Sequence, residues 1–337
     1  MRVKKRYLVL SALLVVCLLV SGCASSAQER LGVAVEFCDH AASAYISTHL
    51  GWFEDEGLAL DQYDTYLTGM ALASALGNGD IDVAYMCLAP AISAYANGGL
   101  PIKIVAGTHR YGYGLLVDPD RVNSVEDLEG AGIRIACPRE GSPLDLLLNK
   151  LIDQYGLDRD LVLSKVQRMP PAQVLLALEA GRVDAGFCSE QFSTMGEELG
   201  FDLLVDAEDL WPGMQGSVLV VVEELLLNHE DVVETLVEIT QRAIEYIEAH
   251  PADAAAIVAS ELEIAGDDVL PLEMDYLSYG LSVTPDVILK SLTNRMECTV
   301  QIDEEAVQAQ IDYMAQLGYI SSSFEAGEIL DLRFLAE

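Results

Sequence analysis

Hydrophobic positions fall into two regimes along the chain. Arg2, Lys4, Lys5 and Arg6 precede an apolar stretch from Tyr7 to Val20, which reads as the basic and hydrophobic regions of a secretory leader. The stretch is shorter than the ~20 residues that cross a bilayer as a helix. From about residue 30, short β-branched runs alternate with helical patterns, which predicts α/β layers built as a parallel sheet with crossover helices. Strands are expected at Leu31–Phe37, Ala59–Tyr63, Ile81–Met86, Ile102–Gly107 and Tyr113–Val117, and again at Gly132–Cys137, Val183–Phe187, Leu203–Val205 and Ser217–Val222. Helices are expected between them, one opening at Ser142-Pro143 with Ser142 as N-cap. From Asp231 onward the pattern is mostly amphipathic helix.

The pattern repeats itself. A helix, a glycine and Ile81-Asp82-Val83-Ala84-Tyr85 return as a helix, a glycine and Val183-Asp184-Ala185-Gly186-Phe187. Two similar lobes follow: residues 30–117 begin the first, 118–213 form the second, and 214–337 complete the first and add C-terminal helices. Two chain crossings would then make a hinge, with a ligand cleft between the lobes.

The apolar leader ends in Val20-Ser21-Gly22-Cys23, which resembles the lipobox of exported lipoproteins. Residues 1–22 would be the signal peptide, Cys23 the lipidated N-terminus and 23–29 a tether; the alternative is an ordinary cleaved signal in which Cys23 is incidental. The formal charge is −35, and removing the basic leader makes the mature chain more acidic still. Only Lys103, Lys150, Lys165 and Lys290 remain as lysines beyond it. Such a surface repels nucleic acid and anionic membranes. No phosphate-loop sequence is present, so any ATPase partner is a separate chain.

Several segments, in order and spacing, are similar to the periplasmic binding proteins of the nitrate, taurine, alkanesulfonate and thiamine-pyrimidine group. They are Ala44-Tyr45-Ile46 with Leu50 to Leu58, Gly79 to Ala84 with Ala89-Pro90-Ala91, Val125 to Gly130 with Ile133 to Ala136, Gly141-Ser142, and Ala180 to Ala185. The resemblance implies a type II periplasmic-binding-protein fold without catalysis. It also implies an extracytoplasmic, lipid-anchored monomer that hands a small ligand to an ABC permease and its ATPase. Ligands of open α/β sheets bind beyond the carboxyl ends of strands, where helix N-termini also point. The strand-end candidates are therefore Cys38, His40, Cys87, His109, Arg110, Cys137, Arg139, Ser142 and Cys188.

Four of these are cysteines, two to each expected lobe. If Cys38, Cys87, Cys137 and Cys188 all faced one cleft, they would form the ligand set of a soft metal ion or an iron-sulfur cluster. Arg110 and Arg139 would offset the thiolate charge. Two other readings stay open: buried thiols that simply pack, or disulfides joining Cys38 to Cys87 or Cys137 to Cys188. Without metal, the cleft would hold a small anion or heterocycle, as the resemblance implies.

His40 and His109 could contact ligand, or else cap and pack. Tyr111 and Tyr113 are candidates for the cleft wall or the core, while Trp52 and Phe53 read as core. The runs Glu54-Asp55-Glu56 and Asp303-Glu304-Glu305 read as solvated faces. A rival reading is an enzyme of pyrimidine-forming type, with a cleft cysteine as nucleophile and His40 or His109 as base; a sensory module is a third.

Overall fold

A computed structural model describes residues 30–270 and 283–335. The leader, Cys23 and the tether lie outside the described residues. No described helix is long and apolar enough to cross a membrane.

Eleven strands among the described residues form two sheets. The first contains β1 (Arg30–Glu36), β2 (Ala59–Tyr66), β3 (Val83–Cys87), β4 (Ile102–Tyr111), β10 (Gln215–Val222) and β11 (Met296–Cys298) in the order β11-β4-β10-β3-β1-β2. The second contains β5 (Tyr113–Val117), β6 (Ile135–Cys137), β7 (Val166–Arg168), β8 (Ala185–Ser189) and β9 (Asp202–Asp206) in the order β7-β6-β8-β5-β9. All strands of the second sheet lie between β4 and β10 in sequence.

Both sheets are mixed, where the sequence pattern suggested parallel ones. β1 runs parallel to β3, and β6 parallel to β7 and β8. β10 runs antiparallel to β3 and β4, and β5 antiparallel to β8 and β9. The strands that follow a passage from one sheet to the other, β5 and β10, are the ones that run against the strands they join. Val218 to Val221 of β10 are fully buried, as expected of a central strand covered on both faces.

The internal echo has a physical cause. Asp82 accepts the Gly32 N–H at 2.9 Å, and Asp184 accepts the Arg134 N–H at 2.8 Å. In each sheet the aspartate before or at the head of one strand fastens the start of the parallel neighbour. Asp184 also pairs with the Arg134 guanidinium at 2.8 Å, and its carboxyl is held below the usual carboxylate range chiefly by that hydrogen bond. These aspartates are therefore framework rather than ligand contacts.

The first passage between sheets is Tyr111-Gly112, where both residues take left-handed backbone angles (φ 62° and 80°). Glycine is required at position 112, because an added Cβ would lie 2.8 Å from Met296 Cγ and 3.0 Å from His40 Nε2. Trp52 and Phe53 are buried in the core, as the pattern indicated.

Candidate functional site

The carboxyl ends of strands from both sheets border one cavity of about 260 Å³. The first sheet supplies Glu36 to Cys38 after β1, Leu67 to Met70 after β2, and Cys87 at the end of β3. The second supplies Tyr113, Pro138 and Arg139 after β6, Arg168 to Pro171 after β7, and Ser189 at the end of β8. Most of this wall is apolar, the usual character of a small-molecule site.

Glu36 is the acidic group in the wall. Its Oε2 accepts the Cys87 N–H at 3.3 Å, where the helix Leu88–Gly98 begins. The backbone of Gly69, first residue of the helix Gly69–Asn78, also bonds to it. Burial pushes the Glu36 carboxyl up, and the hydrogen bonds from Cys87 and Gly69 oppose that shift. The Cys87 thiol bonds to this carboxyl and its sulfur accepts from the Tyr113 hydroxyl at 3.2 Å. Tyr113, Cys87 and Glu36 thus form a short polar chain from the second sheet to the first.

His40 lies beside this chain, its Nε2 2.8 Å from the Gly112 carbonyl, which it meets as a donor in the Nε2–H tautomer. Its ring centroid is 4.3 Å from that of His109. Burial drives the His40 pKa well below its ordinary value, with the neighbouring His109 adding to the shift, and burial lowers His109 to about 4. Both imidazoles are neutral near pH 7. On the opposite wall, Arg168 pairs with the buried Asp145 at 2.6 Å and donates to the Pro138 carbonyl at 2.7 Å. Ser142 caps the helix Pro143–Tyr155 by accepting the Asp145 N–H at 3.2 Å, with Pro143 as its first residue. Arg139 is exposed at the rim.

The structure brings together Cys38, His40, Cys87, Arg139 and Ser142 of the expected set, and leaves out four. His109 packs behind His40. Arg110 pairs with Glu297 at 3.2 Å on the adjoining β11. Cys137 and Cys188 are fully buried among core side chains rather than in the cavity wall.

The four-cysteine metal or cluster site is corrected accordingly. No group of three or more His, Cys, Asp or Glu side chains among the described residues could hold a metal ion. The reason is strand alternation: Ser189 reaches the cavity, so Cys188 one position earlier turns away from it, and after Cys137 it is Pro138 and Arg139 that reach it. Cys38, Cys87, Cys137 and Cys188 are all free thiols. Burial pushes each thiol up, so they stand as neutral S–H groups.

Three parts of the site were not foreseen from the sequence: Glu36, Arg168, and the apolar wall of Leu67, Met70 and Met169. Glu36 had a signal, since an acidic residue closes an otherwise apolar strand. Arg168 ends a three-residue strand whose pattern is too short to read.

A family model described as the NMT1-like family matches residues 24–262. No curated protein matches the sequence. Among solved structures, the ligand-binding component of an ABC-type import system from Staphylococcus aureus, with zinc bound, is similar at TM-score 0.73 and 19% identity, covering 91% of this chain and 98% of that one. The alkanesulfonate-binding protein SsuA from Xanthomonas axonopodis pv. citri, bound to MOPS, is similar at TM-score 0.71 and 19% identity, covering 90% and 98%. The nitrate-binding protein NrtA from Synechocystis PCC 6803 is similar at TM-score 0.69 and 11% identity, covering 90% and 86%. These likenesses establish the type II periplasmic-binding-protein fold.

Proposed function

The chain belongs to the NMT1-like family, and on that footing we propose that it is the extracytoplasmic solute-binding component of an ABC-type importer. The observation that carries this reading is the cavity itself, whose wall is shared between strand ends of two sheets. Each sheet with its helices is one lobe; β5, expected in the first lobe, pairs with β8 and β9 of the second sheet, so the first boundary falls at Gly112 rather than at residue 117, the second lobe spans β5 to β9, and the chain returns to the first at β10. A solute that touches both walls favours the closed arrangement, because only there are all its contacts made. The closed form then docks on a separate permease and its ATPase. Cys23 would carry the lipid that keeps the receptor at the membrane, and a small molecule, rather than a metal cluster, is the cargo.

The chemistry of the wall supports a receptor over an enzyme. The Cys87 sulfur is hydrogen-bonded to Tyr113 and, at 3.6 Å, to Ser217, not to a histidine. Its thiol is held protonated, the opposite of what a nucleophile needs.

Reconstitution tests the proposal. The protein should stimulate ATP hydrolysis by its permease–ATPase complex in liposomes when loaded with solute. Met70→Trp, which fills the cavity from the helix Gly69–Asn78, should lose that stimulation while remaining folded. Equal stimulation by both proteins would reject the cavity as the site.

A further inference from the structure

We propose that the cavity selects a small organic cation, an amine, amidine or protonated ring nitrogen on an apolar body, with Glu36 as its counter-charge, and that it rejects small anions. The inference rests on the cavity being the solute site and names the class of solute. In open α/β sheets, helix N-termini beyond the strand ends are the natural seats for anionic groups. Here two such N-termini in the first sheet, those of Gly69–Asn78 and Leu88–Gly98, are turned on the protein's own carboxylate. The Cys87 N–H donates to Glu36 Oε2 at 3.3 Å. A Cβ at Gly69 would come within 3.2 Å of the same oxygen, so the glycine permits the approach. An incoming sulfonate or nitrate would find that seat filled and meet like charge beside it.

The rest of the wall offers an anion little in return. Arg168 is engaged by Asp145 and the Pro138 carbonyl. His40 is neutral and bonded to Gly112, and the Cys38 and Cys87 thiols are protonated. Arg139 also lines the cavity, but it is exposed, so solvent screens its charge more than that of Glu36. Glu36 has three donors but no cationic partner among the described residues, and burial leaves its carboxyl raised. A cation seated against it would supply the missing charge, while Leu67, Met70 and Met169 cover the apolar body.

Three probes of one shape and different charge test this: benzylamine, benzyl alcohol and benzenesulfonate, titrated calorimetrically into wild type, Glu36→Gln and Met70→Trp. Benzylamine should bind wild type at least tenfold more tightly than benzyl alcohol, with benzenesulfonate weakest. Glu36→Gln, whose amide oxygen can still accept from Cys87 and Gly69, should erase the preference for the amine, so that benzylamine binds no more tightly than benzyl alcohol. Acidification should weaken benzylamine as Glu36 takes up its proton. Sulfonate binding as tight as amine binding, an unchanged preference in Glu36→Gln, or no binding of benzylamine overturns the charge inference alone. Probe binding that survives Met70→Trp in full would instead show that the cavity is not the binding site.

Discussion

The hydroxyl of Tyr111 accepts the Gly213 N–H at 3.1 Å, while the Tyr111 N–H donates to the Met214 carbonyl at 3.1 Å. Tyr111 ends β4 on the outward passage between sheets, and Gly213-Met214 precede β10 on the return, so one residue ties the two crossings together. It does so at φ 62°, a conformation that costs a side-chain-bearing residue about 1–2 kcal/mol. Tyr111 is therefore a clamp of the crossings, not a wall of the cavity.

Removing the clamp's hydroxyl should weaken the fold modestly. Tyr111→Phe is expected to cost about 1 kcal/mol, the usual net value of one hydrogen bond, read from urea unfolding. Tyr111→Gly relaxes the backbone but loses the hydroxyl and the ring's packing, and should cost more than Tyr111→Phe. A Tyr111→Gly protein more stable than wild type would show that strain, not clamping, dominates there.

Gly216 is the second sensitive point of the return strand. A Cβ there would fall 2.2 Å from Cε1 of His109, whose ring is packed on His40. Gly216→Ala must push the histidine out of place, at a cost of about 1–3 kcal/mol for overpacking. Because His40 lines the cavity, the variant should also bind benzylamine more weakly than wild type.

Asp145 is fully buried and Arg168 is its ion-pair partner. Arg168→Met leaves the carboxylate with its hydrogen bonds from Gly141 and Tyr319 but without a counter-charge. Partial exposure of Arg168 places the expected loss below the ~3–5 kcal/mol of a fully buried pair, at about 2–3 kcal/mol. Thermal unfolding with and without Asp145→Asn checks it, since the amide should recover part of the loss.

A buried acidic cluster sets the pH dependence of stability. Burial raises the Asp39 carboxyl to about 6. Burial, and then the charge of Asp39, raises Glu190 to about 8. Ser291 donates to Asp39, Thr194 donates to Glu190, and Arg295 lies 3.8 Å from Glu190. Both carboxyls hold protons more tightly folded than unfolded, so their contribution is complete below about pH 4 and is lost as pH rises towards about 8. The loss amounts to a few kcal/mol, because each tenfold gain in a carboxyl's proton affinity on folding is worth about 1.4 kcal/mol. Above about pH 6.5, where His40 and His109 are neutral folded and unfolded alike and no longer oppose the trend, urea midpoints should fall as the pH rises to about 8, and Glu190→Gln should flatten that slope.

The alternating pattern made every described strand legible except the three-residue β7 and β11, and the repeated Asp82 and Asp184 segments made the likeness of the two sheets legible too. The mixed strand directions were not, because a strand's sequence does not record which way its neighbour runs. The strand-end argument located Cys38, His40, Cys87, Arg139 and Ser142 at the cavity. It failed at Cys137 and Cys188, where an error of one residue turns a side chain to the other face of the sheet. It missed Glu36 because a single acid at a strand end looks like ordinary solvation until the two helix N-termini around it are seen.

The most direct test of the account is native mass spectrometry of protein purified without denaturation from cells grown in rich medium, comparing wild type with Met70→Trp. The account predicts one small-molecule adduct per wild-type chain, carrying a basic nitrogen, and none on the folded Met70→Trp protein. An adduct retained equally by both proteins would contradict it, since the solute would then sit somewhere other than between the two sheets.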